Sequence, residues 1–243
     1  MFKHKSPVKK LSLAIALTLI TGAASATTTT IYDTYKYLFD DEGELIGNSS
    51  GTETLNTGDW AAGYFFVDAQ DCPAGCDLTE VNLLISSPLY STSNGSDLSG
   101  LTLEVYSSQP DPAAGSSLPV PGNSLFELTS PVSVVLNGTF GTRVDFTAVA
   151  QDPNASPLLQ ADTAYWLKLT NESLPDQLGW YFNGVQSNEY WASSQFGNGE
   201  GSPYIFDVTG EARAVSHVPV PGAVWLMGSA LIGLLTAKRR KID

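Results

Sequence analysis

Histidine is almost missing from this chain. Of 243 residues only His4 and His217 carry an imidazole, and neither falls within residues 27–211, the long middle stretch. That excludes a Ser-His-Asp triad and a His-bearing metal site from the stretch. Cationic side chains are as scarce. Residues 27–217 hold Lys36, Arg143, Lys168 and Arg213 against every Asp and Glu of the chain except Asp243, which makes them more acidic than the whole-chain net charge of −13. A surface so charged repels nucleic acid and anionic membranes. Also absent are a phosphate-binding or dinucleotide-binding glycine motif, a repeat of fixed period, and any window of a dozen residues in the middle stretch with apolar positions at helical spacing. No cofactor and no metal is expected.

Two residue spacings fill the gap. The first is alternation. Thr30–Tyr37, Leu78–Ser86, Leu101–Tyr106, Arg143–Val149 and Thr163–Thr170 alternate polar and apolar residues, and in Thr163–Thr170 the residues Tyr165, Leu167 and Leu169 fall opposite Trp166 and Lys168. Tyr64–Ala69, Leu125–Leu128, Val132–Leu136, Gly179–Phe182, Glu189–Ala192 and Tyr204–Val208 are shorter candidates. Turn residues separate them at Ser93-Asn94-Gly95, Asn137-Gly138, Asn183-Gly184 and Asn198-Gly199. Residues 110–122, with Pro110, Pro112, Pro119 and Pro121, read as a long loop. Many short strands with frequent turns predict an all-β fold, an antiparallel, jelly-roll-like β-sandwich spanning residues 27–211, with residues 212–217 as a linker.

The second spacing is that of the two cysteines. Cys72 and Cys76 bracket Pro-Ala-Gly, a turn tight enough for the sulfurs to meet, and in an exported chain they are expected as a local disulfide. Flanking Asp71 and Asp77 disfavour thiolates, which argues against a redox-active dithiol.

The two ends carry addresses. Lys3, Lys5, Lys9 and Lys10 precede the apolar run Leu11–Ile20 and the small-x-small site Ala24-Ser25-Ala26, the layout of a secretory signal peptide over residues 1–26. At the other end stand Val218-Pro219-Val220-Pro221-Gly222, an apolar run from Ala223 to Ala237, and the basic cluster Lys238-Arg239-Arg240-Lys241. Residues 218–237 as a helix reach roughly 30 Å, the thickness of a bilayer's hydrocarbon. Trp225 suits the interface, and the basic cluster places the following end in the cytoplasm.

This tail resembles the PEP-CTERM sorting signal of Gram-negative bacteria, in which a Pro-x-Pro motif precedes one span and a basic end. Residues 218–243 match that order. Val220 stands where the family's namesake motif has Glu, and Trp225-Leu226 and Gly228-Ser229 follow as in a common variant. The resemblance implies recognition and processing by an exosortase, a membrane protease of transpeptidase type. It also implies an inner-membrane intermediate, with its C-terminus cytoplasmic, on the way to the cell surface or the extracellular matrix.

A looser likeness covers most of residues 27–211. Ile31-Tyr32-Asp33, the aromatics at Tyr64–Phe66, Leu78-Thr79-Glu80-Val81, Leu103-Glu104-Val105-Tyr106-Ser107 and the Leu159–Leu167 segment resemble the choice-of-anchor family of bacterial surface domains. That likeness implies a β-sandwich and a surface role, and no catalytic residues.

The sequence reading is therefore a non-enzymatic exported surface protein. Its partners are an exosortase-like protease, the membrane through its C-terminal helix, and exopolysaccharide or other envelope components. The alternative is a carbohydrate-binding module. Aromatics at neighbouring positions on one strand cannot all face inward, so some of Trp180, Tyr181, Tyr190 and Trp191 are available to stack on sugar rings. A glycosidase working through a carboxylate pair ranks behind both. Asp40-Asp41-Glu42-Gly43-Glu44 lacks the alternating pattern of a Ca²⁺ loop and reads as a solvated acidic segment.

Overall fold

The computed structural model describes residues 27–37, 49–86, 98–111, 118–131, 134, 136, 141–148, 157–174, 177–184 and 189–214. The expected signal peptide, the acidic segment at 40–44, the turns at 93–95 and 137–138, and the whole sorting signal lie outside these residues.

Among the described residues there are thirteen strands: β1 (Thr28–Asp33), β2 (Ser49–Leu55), β3 (Trp60–Val67), β4 (Cys76–Ser86), β5 (Leu101–Pro110), β6 (Pro119–Leu128), β7 (Thr142–Thr147), β8 (Leu158–Leu159), β9 (Thr163–Asn171), β10 (Leu178–Asn183), β11 (Tyr190–Ser193), β12 (Gly197–Glu200) and β13 (Phe206–Ala212). They form two antiparallel sheets. One runs β1-β13-β4-β10-β2, with β7 and β8 also paired to β4; the other runs β12-β11-β3-β9-β5-β6. The fold is an all-β sandwich.

Alternation explains how the sheets meet. In β3 the residues Ala61, Phe65 and Val67 enter the main core; in β9 Tyr165, Leu167 and Leu169 do so; in β5 Leu101, Leu103 and Val105. Facing them are Val81, Leu83 and Ile85 of β4, Trp180 of β10, and Phe206 and Val208 of β13. The interlock is close. A Cβ on Gly63 would lie 2.5 Å from the Phe206 ring, so glycine at 63 lets Phe206 cross between the sheets and reach Phe65, 6.4 Å away centroid to centroid.

Several expectations are corrected. The strand expected over Thr30–Tyr37 stops at Asp33, whose Oδ1 accepts a hydrogen bond from the Tyr35 N–H at 2.7 Å and turns the chain into a short 3₁₀ segment, Tyr35–Tyr37. Residues 110–122 are not wholly loop: Pro119 opens β6 and pairs with Pro110, Val120 with Gln109, and Pro121 with Ser108. Proline is tolerated there because among the described residues β6 is an edge strand with no partner on its outer side. Asn198-Gly199 is not a turn but part of β12. The turn lies at 194–196, and Gly197 takes the left-handed backbone (φ 81°) after it. Gly199 pairs with Trp191, whose ring occupies the space a Cβ would need.

Cys72 and Cys76 are joined as a disulfide with Cα atoms 5.4 Å apart; both are fully buried, Cys72 in the turn ahead of β4 and Cys76 at its first position. β13 includes Ala212, and the Arg213 guanidinium holds Asp77 through Nε–H and Nη2–H bonds of 2.7–3.1 Å.

Candidate functional site

The outer face of the six-stranded sheet is the candidate site. Register sets its composition. Tyr64 of β3 pairs with Trp166 of β9, which pairs with Tyr106 of β5. Tyr190 of β11 extends the row, its ring 5.2 Å from Tyr64 and edge-on, while Tyr64 meets Trp166 edge-on at 5.5 Å. Such T-shaped contacts suit the ring quadrupoles. The next row places Ala192, Ala62, Lys168 and Glu104 side by side. Two alanines leave a depression, and Trp60 stands beyond it.

The β6 edge returns over this face toward the β12 edge. β5–β6 pairing is broken by irregularities around Tyr106, which bend a strand, and the Asn198 Nδ2–H donates to Asp111 Oδ2 at 3.2 Å. That cover explains why Trp166 is fully buried although it points away from the core; its indole N–H donates to Ser108 Oγ at 3.2 Å. What stays open is a groove of about 430 Å³ with Trp60, Tyr106, Lys168 and Ala192 on the sheet side and Val120–Gly122, Asp111 and Asn198 around it.

Lys168 is the group of interest in the groove. Its Nζ lies 5.1 Å from the ring centre of Trp60 and 5.1 Å from that of Tyr106, a doubled cation–π contact. Its neighbour in register, Glu104, is occupied elsewhere: it accepts hydrogen bonds from the Tyr106 O–H at 2.9 Å and from the Ser124 O–H at 2.6 Å. Lys168 takes no part in the ion pairs Arg143–Asp145, Arg143–Asp207 and Arg213–Asp77. Burial, with Glu104 as the next cause, pushes the Tyr106 phenol up to about 12, which keeps it a hydrogen-bond donor to that carboxylate. Burial likewise raises Tyr64. Flat ring faces, an ammonium with donors to spare, a carboxylate and an amide are the groups that recognise a sugar's C–H face and its hydroxyls.

The four aromatics singled out from the sequence separate. Trp180 is removed from the candidate set. It is fully buried, stacks on Tyr204 with centroids 4.4 Å apart and donates its indole N–H to the Ile205 carbonyl at 3.1 Å. Tyr181 faces the other way but is covered, packing with Ile205, Tyr35 and Leu84 on the outer face of the seven-stranded sheet. Tyr190 belongs to the aromatic row just described. Trp191 points inward against the main core and lines a second cavity between the sheets. Sequence reasoning missed Trp60, Tyr106 and Lys168 as a group. The signal was there for two of them: the alternation that sends Leu103, Val105, Leu167 and Leu169 inward sends Tyr106 and Lys168 outward.

Among the described residues no group of three or more His, Cys, Asp or Glu is placed to hold a metal ion, and no helix is long and apolar enough to cross a membrane. No protein-family model matches the chain, and no curated protein matches its sequence.

Proposed function

We propose that this chain is a non-enzymatic exported surface protein, sorted to the envelope or extracellular matrix by an exosortase-like protease. The observation that carries the reading is the order of three parts: the motif Val218–Gly222, the apolar run to Ala237 and the basic cluster Lys238–Lys241. The run is a single membrane helix in this reading, and residues 1–26 are a signal peptide. The Cys72–Cys76 disulfide supports an oxidising destination. The neighbours β1 beside β13 and β3 beside β9, far apart in the chain, support the jelly-roll-like form of the sandwich. Replacing Pro219 and Pro221 with Ala is expected to leave the precursor unprocessed in the inner membrane. Release of that variant at the wild-type rate contradicts the sorting mechanism.

A second reading, carbohydrate binding, is favoured by Lys168 held between Trp60 and Tyr106 at the bottom of an open groove. It assigns exopolysaccharide as the partner and the outer face of the six-stranded sheet as the site. Titrating the full chain with exopolysaccharide fragments should change tryptophan fluorescence, and Trp60→Ala should weaken binding by at least about tenfold, roughly 1.4 kcal/mol. Binding of equal strength by Trp60→Ala rules the groove out.

A further inference from the structure

The second cavity lies between the edge strands β2 and β12, where the two sheets part. It has a volume of about 460 Å³ and is lined by Glu53, Phe182, Trp191, Phe196, Glu200 and Tyr204, with two hydroxyl side chains completing it. Its chemistry is unlike that of the outer groove. Glu53 enters it from β2 and is only 6% exposed. One carboxylate oxygen, Oε2, accepts the Tyr204 O–H. The other, Oε1, is buried without a partner.

An unpaired buried carboxylate oxygen is costly to keep. Tyr204 cannot swing to serve it as well, because its ring is stacked on Trp180 and Trp180 is itself pinned to the Ile205 carbonyl. The missing partner is therefore a donor from outside. Among the described residues that line the cavity there is no Lys, Arg or His. Glu200 at the exposed end of β12 adds a second acceptor. An anionic ligand finds no cationic side chain there, whereas a cation finds two carboxylates and the rings of Trp191, Phe182 and Phe196. Phe196, 69% exposed, is the most exposed of the large apolar side chains among the described residues. It sits in the turn before β12, where a ring is available to close over a ligand.

We propose that this cavity binds a primary ammonium group, which donates an N–H to Glu53 Oε1 and lies against the faces of Trp191 and Phe196. A free alkylamine and an amino sugar of a polysaccharide both present that group. The test is calorimetric titration of the full chain, held in detergent micelles, with ethanolamine, glucosamine and N-acetylglucosamine at constant chloride. Saturable binding of glucosamine is expected, with little or none of N-acetylglucosamine, which keeps the ring and loses the charge. Equal affinity for ethanolamine identifies the free ammonium as sufficient; preference for glucosamine identifies an amino-sugar unit. Glu53→Gln keeps an acceptor for Tyr204 and removes the charge, and Phe196→Ala changes only an exposed turn; each should weaken binding by at least about tenfold. The proposal is overturned if neither amine binds, if N-acetylglucosamine binds as well as glucosamine, or if either variant keeps wild-type affinity.

Discussion

Asp207 is the residue whose surroundings conflict most plainly. It sits on the outer face of the seven-stranded sheet, 6% exposed. Burial raises its carboxyl above the usual carboxylate range; the hydrogen bond from Asn82 and the charge of Arg143 oppose that rise, and Asp33 and Glu80 add to it. The bonds are short, 2.7 Å from Asn82 Nδ2 and 3.0 Å from Arg143 Nη2, yet Arg143 is more than half exposed and is shared with Asp145. A carboxyl raised on folding makes the native state bind more protons than the unfolded chain, so this group's contribution to stability falls as pH rises from the ordinary carboxylate value, about 3.9, through its own higher value. In Asp207→Asn that slope disappears. Urea unfolding of both proteins across this range should show the wild type losing ground to the variant as pH rises; the reverse trend would mean that Arg143 and Asn82 outweigh burial. A second residue-level expectation concerns Tyr204. Tyr204→Phe leaves both oxygens of Glu53 without a protein partner and should cost about 1–3 kcal/mol, read from the same unfolding curves, with no loss expected if water takes the place of the phenol.

Strands were legible where alternation was strong. β5 and β9 can be read from Leu101–Tyr106 and Thr163–Thr170 because each buries one face against a neighbouring sheet, and period-2 burial leaves period-2 sequence. Three strands gave no such signal. β8 is two residues long. β2, Ser-Ser-Gly-Thr-Glu-Thr-Leu, has polar residues on both faces, because it is an edge strand and its inward Glu53 serves a cavity rather than the core. β12 is Gly-Asn-Gly-Glu and is a strand only because β11 pairs with it and Trp191 covers Gly199; local propensity points to a turn. The outer groove was hidden for a related reason. Its residues come from six strands and meet only through register, and the return of β6 over the face depends on irregular pairing that no short window of sequence records. Packing between the sheets gives the test at this scale. Gly63→Ala pushes a methyl into Phe206 and should cost about 1–3 kcal/mol as overpacking. Phe206→Leu in the same chain should recover part of that loss; a Gly63→Ala protein as stable as wild type would show that the sheets part easily at this point.

At the scale of the whole molecule, the described residues form one acidic sandwich with aromatic chemistry in two places, the covered outer groove and the open edge between the sheets. The single disulfide closes a loop of five residues, and its loss in Cys72→Ala/Cys76→Ala should cost about 2 kcal/mol by loop entropy, a local staple rather than the basis of the fold. In the proposed reading the destination rests on the tail, and the motif at 218–222 would be the substrate of another protein's chemistry. The decisive measurement is the intact mass of the mature protein recovered from the cell envelope and from the medium. The account predicts a species that begins near Thr27 and ends within residues 219–222. A protein that retains its sequence through Asp243 in both fractions would contradict it.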